Sequence, residues 1–186
     1  MTPSKPMRAD ARRNRARILA AAEEAFAERG TSASTEEVAD RAGVAIGTVF
    51  RHFPTKRDLL AAIMKEVRGS LIDRAEALIA DGDPGTAFFD YFTFLVERST
   101  KVGTVVSLLA EEGTPIEPGE QIRALTHTFG SLLDAARDAG TVRPEVRLDE
   151  VMALLTGTVH GALAAGWSDD LRHRTVTLIL DALRAH

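Results

Sequence analysis

Residues 34–60 read STEEVADRAGVAIGTVFRHFPTKRDLL, two short helical patterns joined by a glycine and followed by the opening of a longer one. Ser34 or Thr35 supplies an N-cap, and Glu37 stands three residues after Ser34, the spacing of a capping box. Val38, Ala39 and Ala42 recur at helical spacing and give the first helix one apolar side. Ala39 must be small, because two helices that cross steeply approach closely there. Gly43 follows at once and takes the left-handed conformation that ends a helix without a steric penalty. Ile46, Val49 and Phe53, three and four residues apart, are the expected buried stripe of the second helix. Ala45, Gly47, Thr48, Arg51 and His52 then point outward. Pro54 forces a stop, and Thr55 caps the next helix with Asp58 in its first turn.

An outward face of small and hydroxyl residues beside Arg51 and His52 suits a helix lying in a major groove, where bulk is excluded and a few polar groups meet base edges. The plainer alternative is a helical hairpin that packs and touches nothing. Charge favours the groove. The chain is acidic, net −4, but residues 1–60 carry +3 and the remainder −7. Residues 1–17 hold six basic side chains and one acidic. For a nucleic-acid partner, local basic charge counts for more than the total. Residues 1–9 are expected to be a flexible basic arm, either reaching toward DNA or serving as a solubilising tail.

These residues resemble the TetR family of transcriptional regulators. The likeness is close from Arg15 to Leu60, through Ile18, Leu19, Ala22, Ala25, Phe26 and Gly30, then Ser34, Thr35, Val38 and Ala39, the turn Ala42-Gly43-Val44, Gly47-Thr48-Val49-Phe50, His52-Phe53, Lys56 and Leu59-Leu60. Two positions depart from the family: Phe50 stands where tyrosine is usual, removing a hydroxyl, and Thr31 stands where an aromatic is usual. The resemblance implies a DNA contact set of Ser34, Thr35, Ala45, Gly47, Thr48, Phe50, Arg51, His52 and Lys56, with Thr35 and Lys56 on phosphates. It also implies a homodimer on a palindromic duplex operator, a small-molecule effector held in the helical body, and release of DNA when that effector binds. A ligand-independent regulator or an activator is the alternative.

The rest of the chain supports an all-α fold of about nine helices. At 186 residues, 45% apolar but only 5% aromatic, it buries a real core rich in Ala and Leu. Helical patterns are predicted over 10–29, 56–80, 84–99, 102–112, 117–139, 148–166 and 168–183, besides the two short ones. The expected division is a helix-turn-helix domain at 10–55 and a ligand-binding and dimerisation domain at 56–186, connected by helix 56–80. There is no cysteine, and no apolar run approaches ~18 residues, which predicts a soluble cytoplasmic protein with no membrane partner. The sequence shows no glycine-rich phosphate loop, nucleophile elbow or metal spacing, so no catalytic residue, cofactor or metal is expected.

In the body, Leu155, Val159, Ala162 and Leu163 with Leu171, Val176, Ile179 and Leu183 are the expected dimer stripes, the alternative being internal core helices. The candidate effector pocket is Met64, Phe88, Phe89, Phe92, Val105, Leu109, His127 and Trp167, which predicts an apolar or amphipathic ligand. An aromatic stripe at helical spacing is more often plain core, and a histidine among apolar residues more often a hydrogen-bonded core group.

Overall fold

The computed structural model describes residues 5–113 and 125–185. The order is α1 (Lys5–Arg29), a 3-10 turn (Gly30–Ser32), α2 (Thr35–Ala42), α3 (Ile46–His52), α4 (Lys56–Asp81), α5 (Ala87–Glu111), α6 (Thr126–Asp138), α7 (Leu148–Ala165) and α8 (Asp169–Leu183). Among the described residues the only extended pairing is an isolated antiparallel bridge between Val142 and Arg184. No described helix is long and apolar enough to cross a membrane.

Three boundaries differ from expectation. Helix α1 begins at Lys5, so residues 5–9 of the predicted arm are helical, while residues 1–4 lie outside the described residues. The two helices expected at 84–99 and 102–112 are one 25-residue helix, α5. Nothing between residues 99 and 102 forces a stop, and Ser99 turns its hydroxyl back onto the Val96 carbonyl (2.8 Å), which a helix tolerates. The start of the helix expected at 117–139 also falls outside the described residues, and α6 itself opens at Thr126.

The chain divides into two compact units, residues 1–68 with 102–115 and residues 69–101 with 116–186. The first unit is filled by Ile18, Ala22, Phe26, Val38, Val49 and Leu60, among others, all fully or almost fully buried. The second is organised around aromatic side chains. Phe129 lies 6.2 Å from Phe88, 5.2 Å from Tyr91 and 6.4 Å from Phe92 between ring centroids, edge-on to both phenylalanines and tilted to Tyr91. Such geometries use the ring quadrupoles as well as the buried area. The Tyr91 hydroxyl donates to the Leu71 carbonyl (3.1 Å), so the one polar atom of the cluster is satisfied. Near the C-terminus, the Arg143 N–H donates to Leu183 O (3.1 Å), the Ala185 N–H donates to Thr141 O (3.0 Å), and the Arg184 guanidinium lies 4.1 Å from the Phe89 ring centroid.

Burial pushes the Tyr91 phenol up to about 12 from its ordinary value near 10. A raised phenol stabilises the fold fully below pH 10, and that stability drains away as pH rises toward 12. Denaturant unfolding should show Tyr91→Phe about 1 kcal/mol less stable at pH 8, from the lost hydrogen bond, and a smaller loss of stability than wild type between pH 10 and 12. Phe129→Ala should cost about 3–5 kcal/mol in the same measurement at neutral pH.

Candidate nucleic-acid interface

The interface is built on α2, α3 and the first turn of α4. Ser34 caps α2, its hydroxyl accepting the Glu37 N–H (3.1 Å). The Glu37 carboxylate goes instead to Arg41 (2.7 Å) and Arg29 (3.3 Å), so one half of the expected capping box is an ion-pair network. Arg41 also holds Glu28 (2.7 Å), and its hydrogen bond and charge keep the Glu28 carboxyl below the usual range. Gly43 takes the left-handed conformation at φ 62°, ψ 42°, and its N–H and that of Val44 close onto the carbonyls of Asp40 and Ala39 (3.0 Å each). The Arg17 guanidinium donates to the Gly43 carbonyl (3.3 Å), and a Cβ at residue 43 would stand 2.7 Å from its Nη2. The left-handed backbone therefore demands glycine, whereas the Arg17 side chain could swing away from a Cβ.

On α3, Val49 is buried and Phe53, at the C-cap, is 4% exposed. Ala45, Gly47, Phe50 and Arg51 are exposed, and Thr48 and His52 half-buried. Ile46 is a correction: expected in the buried stripe, it is 37% exposed. It is the first residue of a seven-residue helix and lies at the margin of the core that Val49 and Phe53 fill. Helix α4 opens with a reciprocal cap, Thr55 Oγ1 accepting the Asp58 N–H (3.1 Å) and Asp58 accepting the Thr55 N–H (3.1 Å) and hydroxyl (2.7 Å). The Lys56 ammonium sits 5.4 Å from the Phe26 ring centroid, so its stem is packed while its charge heads the helix. Arg15 joins the end of α3 to α4, lying 5.4 Å from the Phe53 ring centroid and pairing with Glu66 (3.1 Å).

The cations sort themselves by partner. Arg13, Arg15, Arg29 and Arg41 are paired with carboxylates. Among the described residues, Arg51 in the last turn of α3 and Lys56 and Arg57 in the first turn of α4 have no carboxylate partner. The sequence reading passed over Arg57, whose sequence neighbour Asp58 is bonded to Thr55. It also missed Arg17, whose role depends on a contact 26 residues away.

The second unit changes the remaining expectations. Of the pocket set, Phe88, Phe89 and Phe92 are core residues of the second unit, while Met64, Val105 and Leu109 belong to the first. His127, the second residue of α6, is exposed. Trp167 lies outside the aromatic cluster: its ring seats on Gly161, where a Cβ would meet it at 3.0 Å, and it lines a groove of about 710 Å³ with Leu154, Gly157 and Ala182. Of the dimer set, Leu155, Val159, Ala162, Val176 and Leu183 are buried within the chain. Leu163 and Ile179 pack at the edge of the core, and Leu171 is exposed. Helices α7 and α8 are apolar on more than one side, and most of the stripe selected from periodicity is buried within the chain. The apolar residues left outside are Leu154, Leu171 and Leu178, the last 71% exposed.

Two family models match the chain: "Bacterial regulatory proteins, tetR family" over residues 18–63, and "Transcriptional regulator SbtR-like, C-terminal domain" over residues 83–185. The chain belongs to the TetR family. A TetR transcription regulatory protein from Mycobacterium vanbaalenii, of known structure, is 38% identical, with 97% of this chain and 100% of that one covered and a TM-score of 0.78. An HTH-type transcriptional repressor of Mycobacterium tuberculosis is 32% identical over 155 residues, 82% of this chain and 70% of the relative. The HTH-type transcriptional regulator UidR of Escherichia coli is 26% identical over 175 residues, 89% and 87% of the two chains.

This TetR-family chain is accordingly a DNA-binding transcriptional regulator, of a family whose work is regulation rather than turnover. Among the described residues, no three His, Cys, Asp or Glu side chains gather where a metal ion would sit.

The two glycines of the TetR-type motif should respond oppositely to alanine. Gly43→Ala should lower stability by about 1–2 kcal/mol, from the left-handed backbone alone. Gly47 has open space around its missing Cβ, so Gly47→Ala should stabilise the free protein by about 0.5–1 kcal/mol while weakening its hold on DNA. Urea unfolding and titration of a bound duplex read the two effects.

Proposed function

We propose that this regulator is a repressor that binds a palindromic operator as a homodimer and leaves it when a small apolar or amphipathic molecule binds. The observation that carries the DNA half is the face of α3: small at Ala45, Gly47 and Thr48, and bordered by Arg51, Lys56 and Arg57, which are free of carboxylate partners among the described residues. The Mycobacterium tuberculosis relative, named a repressor, supports the sign of regulation.

A single reading helix touches one half-site, and pairing two of them gains specificity from half-sites about ten base pairs apart or a multiple of that. The partner surface we assign is the exposed side of α7 and α8, where Leu154 lines the groove with Gly157 and Leu178 is 71% exposed. Small residues there let helices approach closely, and Leu178 is the apolar projection that enters a partner's groove. The apolar effector chemistry rests on the family likeness and on the aromatic interior of the second unit.

For the effector to release DNA it must bind the DNA-incompetent conformer more tightly, typically by about 1–3 kcal/mol of coupling. Linkage then requires operator DNA to weaken effector binding by the same factor. Helix α4 has residues in both units and is the element through which we route that coupling.

Selection from a random duplex library at two salt concentrations should enrich a palindrome whose affinity falls with salt. The double variant Arg51→Ala, Lys56→Ala should lose that binding and keep its helicity; failure to enrich any motif with folded protein would sink the reading. Leu178→Glu should shift the protein from dimer to monomer in analytical ultracentrifugation, and an unchanged dimer would move the interface elsewhere.

A further inference from the structure

The reading helix carries two exposed apolar side chains that its own fold does not require. Ile46 is 37% exposed and Phe50 44%, and inward packing is carried by Val49 and Phe53. Ile46 and Phe50 are four residues apart, hence one turn apart on the same side of α3. Gly47 lies one turn before Phe50, and the place of its Cβ has nothing within 4 Å. A helical glycine with no internal neighbour to accommodate costs helix stability without a packing reason.

Phe50 has no hydroxyl, so it neither donates to a phosphate nor reads a base by hydrogen bonding. In the major groove the apolar group that a base pair presents to such a side chain is the C5-methyl of thymine. We propose that Phe50, with Ile46 beside it, reads the methyl group of one thymine in each half-site, and that Gly47 leaves the room for that base edge to approach. The inference rests on the DNA-binding reading above and adds to it a specificity-determining contact with a stated base. Arg51 and Lys56 position the helix through charge, whereas Phe50 selects sequence through an apolar contact that salt does not screen.

The test uses the full-length protein and the palindrome obtained by selection, with each thymine replaced in turn by deoxyuridine, which removes the methyl and keeps base pairing. At one thymine position per half-site, the change should weaken wild-type binding about fourfold, the size expected for one methyl group withdrawn from an apolar contact. Phe50→Ala should bind the thymine and deoxyuridine duplexes equally, with the salt dependence of the wild type. Phe50→Leu, which stays apolar, should retain part of the difference, and unchanged helicity of both variants separates the contact from folding. Wild-type binding indifferent to deoxyuridine at every position would overturn the inference while leaving DNA recognition intact, as would a methyl effect that survives Phe50→Ala. Failure of the wild type to bind the selected palindrome itself would overturn the functional reading underneath.

Discussion

The left-handed peptide at Gly43 fixes everything the reading helix does. Helices α2 and α3 are eight and seven residues long, too short to hold their own angle by packing area alone. Their crossing is set instead by a turn whose φ is positive, whose N–H groups close back onto α2, and whose carbonyl is held by Arg17 from α1. Given that turn, Val49 must point inward, and the outward positions of Ala45, Gly47, Phe50 and Arg51 follow from helical geometry. Ala39, 2% exposed on the helix before it, is small for the same reason.

Around this constraint the first unit spends its charges on itself before offering any to a partner. The Arg29, Glu37, Arg41 and Glu28 network braces α2 against the end of α1, and Arg15 braces α4. Exposed pairs of this kind contribute little individually, about 0–1 kcal/mol, so their value here lies in direction: they keep carboxylates away from the cations beside α3. The formal +3 over residues 1–60 thus averages over paired cations and the unpaired Arg51, Lys56 and Arg57.

What was legible in the sequence was local. The Ser34 cap, the Gly43 turn, the stop at Pro54 and the Thr55–Asp58 cap are each decided within four residues, and each stands where the sequence places it. Long-range choices were not legible. Periodicity identified α7 and α8 as apolar but could not say which side faces inward, since α7 combines buried Leu155 and Val159 with exposed Leu154. Composition drew Phe88 and Trp167 into one set, although one is closed among aromatic rings and the other rests on Gly161 at the surface. Ile46 was misread because a stripe rule takes no account of where a short helix leaves the core.

Trp167 has a consequence of a different kind. It is the chain's single tryptophan, and the chain's single tyrosine, Tyr91, is sealed in the core. The indole lies in the groove bordered by Leu154 and Gly157, so the protein carries one optical reporter, placed by the fold where a neighbouring molecule would exclude water from it. Its emission colour and its accessibility to a quencher are therefore read-outs of what occupies that groove, obtained without attaching a dye to a molecule that has no cysteine to label.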